Sequence, residues 1–398
     1  MPSQTTVLTT AVPAHGRAAR VGMLSLILLS VAHFFIDLYS SAIGAFQPVL
    51  VEKLRLSLTQ AGFLGGVLVF SSSVMQPVYG LLSDRFHTKL FSALAPAVAG
   101  IFIAALGLSP GFEWALAMVA LGGAGIASFH PQATAWATAG IAVNRGRWMA
   151  VFISAGTLGM ALGPTFFSEL LLRAGVARSW WAAVPGVFVT ALLLAFLPAG
   201  GEENRAGRKF DWRPLAAVWK PLTILYFLVF IRSILQITYA QFLPLYLHRE
   251  RGFEFSAASY ALSLYLAAGA IGGFVGGQLA DRFGGRAVIM ISMLSCVPCL
   301  ALFFLTTGPL SLLGLALGGL TLLFTIPVNV VMAQELAPSQ AGTVSALMMG
   351  FAWGMAGIVF IPLAGWIADL FSMHVALFSL LIFPILGFFL TMKLPKDA

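Results

Sequence analysis

Twelve apolar runs divide the chain, at about 22–50, 58–82, 90–108, 113–138, 148–172, 181–199, 218–246, 256–280, 287–307, 309–334, 341–368 and 374–392. A helix needs about 20 apolar residues to cross a bilayer, and the runs match or exceed that length. Those longer than about 25 residues must tilt, kink or emerge from the hydrocarbon. Pro48, Pro77, Pro131, Pro164, Pro244, Pro327 and Pro362 lie inside runs, where neighbouring helices can satisfy the backbone groups that a proline frees. The pattern predicts an all-α polytopic membrane protein with twelve transmembrane helices. The longest polar stretch, 200–217, follows the sixth run. It splits the chain into six-helix bundles at 22–199 and 218–392, with tails at 1–21 and 393–398. An internal repeat supports the division: Gly80-Leu-Leu-Ser-Asp84-Arg85-Phe86 recurs as Gly277-Gln-Leu-Ala-Asp281-Arg282-Phe283. Two pseudo-symmetric halves of this kind are the architecture of a secondary transporter, with its site where the repeats meet near mid-membrane.

Composition agrees with the pattern. Apolar residues make up 59% of the 398 and charged residues only 9%, against about 25% charged in soluble domains. A mean hydropathy of +0.94 excludes soluble, disordered and disulfide-rich classes. The net charge of +8 would suggest nucleic acid only if it were clustered, and it is spread along short turns. Placing the N-terminus in the cytoplasm puts 15 Lys and Arg on that side against 6 on the other, the asymmetry that orients membrane proteins. A multi-pass inner (plasma) membrane protein with both termini cytoplasmic is expected. A cleaved signal peptide is not, because the first apolar run continues past residue 32 and carries His33 and Asp37.

Several chemistries lack their residues. None of the six lysines follows a glycine, so there is no phosphate-binding Gly-Lys-Ser/Thr loop. The pair Cys296-Val-Pro-Cys299 lies in an apolar run and reads as two small buried helix residues. No zinc-protease motif or aspartate dyad is present. An enzyme, a resident metal and a cofactor are therefore not expected, and the partners are a small-molecule substrate, protons and the lipid bilayer, with the chain acting as a monomer.

Ionisable groups inside spans are costly and mark function by default. His33 and Asp37 lie four apart on one face of the first helix, which Ser40 extends. In the seventh, Arg232, Gln236 and Tyr239 make an i, i+4, i+7 stripe. His130 in the fourth helix is followed by Pro131, Gln132 and Trp136. We expect Asp37, with His33 and His130, to carry the driving proton. Arg232, Gln236, Tyr239, Gln132, Trp136 and Ser40 are candidates to bind substrate. The rival reading of the two strongest charges is a structural Asp37–Arg232 ion pair.

Asp84 and Asp281 each end a helix, where the helix's own partial charge disfavours a carboxylate, so each needs a partner. With Gly80, Arg85, Gly277, Arg282, Arg286 and Glu335 they are expected to form a state-dependent latch on the cytoplasmic face. This repeated loop element resembles the signature of the major facilitator superfamily. Ala32-His33-Phe-Phe-Ile36-Asp37, Phe129-His130-Pro131-Gln132, Ala333-Gln334-Glu335-Leu336-Ala337-Pro338 and Gly350-Phe-Ala-Trp-Gly354-Met-Ala-Gly357 resemble the fosmidomycin resistance protein family of exporters, over essentially the whole chain. The resemblance implies export of a small drug or metabolite, fosmidomycin-like or otherwise anionic or amphiphilic, in exchange for protons; uptake of a small organic anion or sugar is the alternative. The chain departs from the family at Ile36, where members carry Asn, and at Gln132, where they carry an acid. Gly159, Gly163 and Pro164 of the fifth helix, with Gly156, resemble the glycine and proline pattern of antiporters in the superfamily and are expected to let that helix bend.

Overall fold

The computed structural model describes residues 14–86, 88–139, 141, 143–198 and 213–395, with 14–20 and Asp84 in backbone only. Most of the 200–217 linker, the first 13 residues and the last three lie outside the described residues. Twelve helical spans appear where the apolar runs place them: Val21–Lys53, Leu58–Ser83, Leu90–Leu108, Phe112–Trp136, Arg145–Ala174, Val176–Phe196, Trp219–Arg249, Phe255–Phe283, Gly285–Leu305, Gly308–Leu336, Pro338–Leu370 and Met373–Thr391. We refer to them as the first to twelfth spans. An even number of crossings returns the chain to the side on which it started. That side, from which the first span starts and to which the twelfth returns, is called the terminal face, and the other the opposite face.

The spans are not uniform rods. The first breaks at Ser41, the second at Val74–Met75 just before Pro77, and the tenth at Leu323–Phe324 just before Pro327. A π-helical turn occupies Ala346–Phe351 in the eleventh; such turns insert an extra residue and concentrate at functional sites. The fifth span is one continuous helix from Arg145 to Ala174 across Pro164. Its glycines also serve close packing. A side chain at Gly159 would strike the Phe34 carbonyl, and one at Gly163 would strike Ser41 Oγ. These glycines let the fifth span lie against the first.

The halves meet most closely towards the opposite face. Gly62 lies so near the Ile361 carbonyl that an added Cβ would sit 2.7 Å from it, and Gly65 accommodates the side chain of Gln241. Gln241 Nε2 donates to the Ala61 carbonyl at 3.3 Å, alongside Gln47 Nε2 at 2.9 Å. Thr165 and Ser263 share a 2.8 Å hydrogen bond between the fifth and eighth spans. Towards the terminal face the parting helices pack within their own halves: Gln76–Phe86 on the fourth span, and Thr325–Leu336 chiefly on the seventh, eighth and ninth. The molecule is closed at the opposite face.

Neighbouring glycines of the eighth span give a sharp test of this packing. A Cβ on Gly272 would overlap the Leu320 carbonyl, whereas one on Gly273 would lie 3.7 Å from the nearest atom, the Leu323 carbonyl. Gly272→Ala is expected to destabilise the protein by about 1–3 kcal/mol through overpacking, with Gly273→Ala near neutral. Thermal melting in detergent should separate the two variants, and equal melting points would contradict the described contact.

Candidate transport site

The first site is assembled from three spans of the first half. His33 and Asp37 share a helix face one turn apart, and both are less than a tenth exposed. His33 Nδ1 lies 2.9 Å from the Phe152 carbonyl of the fifth span, and the imidazole stacks on the Phe152 ring at 4.3 Å between centroids. A carbonyl only accepts, so Nδ1 carries a hydrogen. His33 Nε2 is thereby turned towards Asp37 Oδ2, at 3.3 Å. His130 of the fourth span places Nε2 3.6 Å from the other oxygen, Oδ1. Space for the cluster comes from Gly156, where a Cβ would collide with both His33 Nε2 and Asp37 Oδ2.

This geometry has a chemical consequence. With Nδ1 committed to a carbonyl, Nε2 offers Asp37 either a proton or a lone pair. A lone pair facing a buried carboxylate is repulsive, so the His33–Asp37 contact holds one proton, on either the imidazole or the carboxyl. Two imidazoles and one carboxylate thus form a small protonatable unit, mostly buried within the first half. The sequence puts His33 and Asp37 together by their spacing. It gives no signal for the Phe152 carbonyl, because a backbone group leaves no trace in residue type.

The second site lies on the seventh span. Arg232 is 4% exposed. Its guanidinium donates to Gln236 Oε1 at 2.7 Å and to Ser233 Oγ at 3.3 Å, and it lies 5.4 Å from the Trp353 ring centre. Arg232 Nε has no hydrogen-bond partner among the described residues. Among the described residues no carboxylate lies within 4.0 Å of Arg232, so the Asp37–Arg232 ion pair is not formed. A buried guanidinium whose partners among the described residues are all neutral keeps its charge uncancelled, and such a charge can interact with an anion. Trp353, on the eleventh span two residues past the π-helical turn, is a contact the sequence reading missed; its signal is the glycine-rich segment 350–357.

Other expected site residues turn out to be occupied elsewhere. Gln132 Oε1 accepts from Ser92 N at 3.0 Å and Ser92 Oγ at 2.8 Å, and its Nε2 donates to Ser83 Oγ at 2.8 Å and the Thr88 carbonyl at 2.7 Å. All four bonding positions of the amide are used to tie the fourth span to the second and third, so Gln132 is a structural clamp in this conformation. The bond to Thr88 needs a donor, which a carboxylate lacks. Tyr239 is likewise buried in an aromatic cluster with Tyr265 and Phe304, its hydroxyl donating to the Leu377 carbonyl at 3.1 Å. Ser40 Oγ donates to the Asp37 carbonyl at 2.8 Å. Trp136 closes the fourth span at the terminal face, half-buried against the apolar core.

At the latch, Gly80 faces Pro131 and Gly277 faces Pro327, at 3.5 and 3.7 Å from an added Cβ. The repeat therefore seats the second and eighth spans on the proline-bearing fourth and tenth. Among the described residues, Arg85, Asp281, Arg282, Arg286 and Glu335 form no ion pair. Arg286 donates to the Met392 carbonyl within its own half at 2.9 Å. Among the described residues, then, no ion pair joins the two halves at these loops. The side chain of Asp84 lies outside the described residues.

The family model of the Major Facilitator Superfamily matches residues 29–361, with a second match over 225–397. The chain belongs to the Major Facilitator Superfamily. Among its relatives, an uncharacterized MFS-type transporter, YfnC, of Bacillus subtilis is 31% identical, the alignment covering 94% of this chain and 93% of that one. The fosmidomycin resistance protein of Escherichia coli is 28% identical, with 93% and 92% covered. Among solved structures, a bacterial homolog of the human lysosomal transporter Spinster, in an inward-facing and occupied conformation, superposes with a TM-score of 0.79 at 15% identity over 94% of this chain and 97% of that one. This Major Facilitator Superfamily member is thus a multi-pass membrane transporter of the expected fold.

Gln132 offers a direct test of clamp against ligand. Gln132→Leu strands the Thr88 carbonyl and the Ser92 donors, and is expected to destabilise the fold by about 1–3 kcal/mol. Differential scanning fluorimetry should record the loss, while the protein that remains folded keeps its apparent substrate affinity. A normal melting point with weakened binding would restore Gln132 to the substrate site.

Proposed function

We propose that this chain is a proton-coupled antiporter that exports a small anionic or amphiphilic drug or metabolite, a fosmidomycin-like compound among them, by alternating access. The observation that carries the reading is the locked tautomer of His33, which makes the His33–Asp37 contact a one-proton site with His130 beside it. Arg232, with Gln236 and Trp353 about it, supplies the complementary anion site in the other half. A transporter built this way holds a proton in one bundle and a negative group in the other. Exchange follows if occupation by one lowers the affinity for the other. The bundles 22–199 and 218–392 rock against each other, and the repeated loops of Asp84 and Asp281 close the terminal face when the opposite face opens. The excess of Lys and Arg on the terminal face supports a cytoplasmic position for that face and both termini. The protein works as a monomer in the inner (plasma) membrane. The relative named for fosmidomycin resistance supports efflux as the direction.

The deciding experiment is counterflow in proteoliposomes under an imposed pH gradient, with phosphonates, sugars and hydrophobic drugs as candidate substrates. Antiport predicts proton movement opposite to substrate movement; co-accumulation of substrate and protons would instead make the chain an importer by symport. Asp37→Asn should retain substrate binding and exchange but lose at least about tenfold of gradient-driven transport, since the amide cannot take up the proton. Full proton-dependent transport by that variant sinks the coupling role. Arg232→Gln should weaken an anionic substrate by about 10–100-fold, the worth of a charge-assisted hydrogen bond, and leave neutral amphiphiles nearly unaffected, as read from concentration-dependent uptake.

A further inference from the structure

Two carboxylates that the transport site does not use lie at the opposite face, and each reaches from one half to the other. Asp369 stands on the last turn of the eleventh span, in the second half. Its Oδ1 accepts from the Leu58 N–H at 2.8 Å, and its Oδ2 accepts from the Thr59 N–H at 2.8 Å and the Thr59 hydroxyl at 2.6 Å. Leu58 and Thr59 begin the second span, in the first half. The leading N–H groups of a helix have no acceptor within it and carry its partial positive charge. Here Ser57 Oγ serves the third of them, the Gln60 N–H, at 3.1 Å, and Asp369 serves the first two. The helix is fully capped only while the halves touch. Asp369 in turn sits where its own helix is partially negative, so it too is poorly placed without the second span.

The pseudo-symmetric position carries the same device. Glu169 stands in the last turns of the fifth span and accepts from the Tyr260 hydroxyl near the start of the eighth. Arg173 engages its other oxygen at 2.8 Å. The fifth and eleventh spans are equivalent in the two halves, as are the second and eighth. Each half therefore extends a carboxylate from the end of its fifth helix to the beginning of the other half's second helix.

We propose that Asp369 and Glu169 are paired latches that hold the opposite face shut, and that they are positioning residues which set the balance between the two open states. Both must release for the opposite face to open, so their loss shifts the population without touching the transport site. The proposal rests on the alternating-access reading, but not on the substrate or on protons.

Spin labels test it directly, in a background with Cys296 and Cys299 replaced by serine. One pair, at Arg178 and Thr307, spans the opposite face; another, at Arg147 and Ser339, spans the terminal face. All four positions are exposed. Double electron–electron resonance in nanodiscs is expected to show a longer Arg178–Thr307 distance in Asp369→Asn and in Tyr260→Phe. The fraction of that longer distance should rise at least about threefold, and further in the double variant, with a matching shortening across the terminal face. General loosening of the fold would broaden both distances alike and so contradict the latch. Should Asp369→Asn fail to fold, Thr59→Ala and Tyr260→Phe, which each remove one hydroxyl, carry the same test. Wild-type distributions in folded variants overturn the proposal even where the wild type exchanges between states. An opposite face that lengthens with no shortening at the terminal face keeps the latches and removes alternating access.

Discussion

A carboxylate in hydrocarbon has to be neutralised where it stands, and much of this molecule's polar design follows from how that is done for Asp37. Full burial of an isolated ion costs several kcal/mol even after relaxation. A guanidinium partner would meet the cost permanently, because it does not give up its proton in the accessible range. The chain uses His33 and His130 instead, partners whose charge can come and go. The Phe152 carbonyl then fixes which His33 nitrogen faces the acid, and Gly156 leaves the room that both side chains occupy. One carboxylate thus accounts for contacts on three spans.

The same constraint explains why Arg232 stands apart. Paired with Asp37, it would form a stable bridge between the halves, and such a bridge resists the relative motion that transport requires. Left with Gln236, Ser233 and the face of Trp353, it is solvated by neutral dipoles and a ring quadrupole. Those groups hold the charge without cancelling it. A negative substrate group can therefore gain a full charge-assisted interaction on arrival.

The twelve spans were legible in the sequence because a bilayer demands about 20 apolar residues per crossing and the turns between them are polar. The His33–Asp37 pair was legible for a similar reason: helical spacing alone brings residues four apart onto one face. Gln132 misled because residue type does not reveal commitment. An intramembrane amide close to a buried histidine looks like a ligand, yet Ser83, Thr88 and Ser92, 40 to 49 positions away in the chain, already fill its bonding sites. Tyr239 misled in the same way, since the acceptor of its hydroxyl is a backbone carbonyl 138 residues distant. Proline positions were visible, but their effects were not. Pro77 and Pro327 follow breaks, whereas Pro164 lies in an unbroken helix, and tertiary packing decides between those outcomes.

Symmetry separates the moving parts of the molecule from its chemistry. The repeated loops seat Gly80 on Pro131 and Gly277 on Pro327, and the acids at the opposite face connect the fifth to the eighth span and the eleventh to the second. These elements occur twice because rocking two similar bodies about a shared axis needs matching contacts at both faces. The chemical groups do not repeat. The acid and its imidazoles belong to the first half and the guanidinium to the second, so the central region is polarised across the plane along which the halves move. A symmetric frame lets two arrangements of the halves use equivalent contacts, and asymmetric chemistry distinguishes one side of the divide from the other. On the proposed function, coupling between proton and substrate requires no wire between the sites, only that each ligand prefer a different arrangement of the same two bodies.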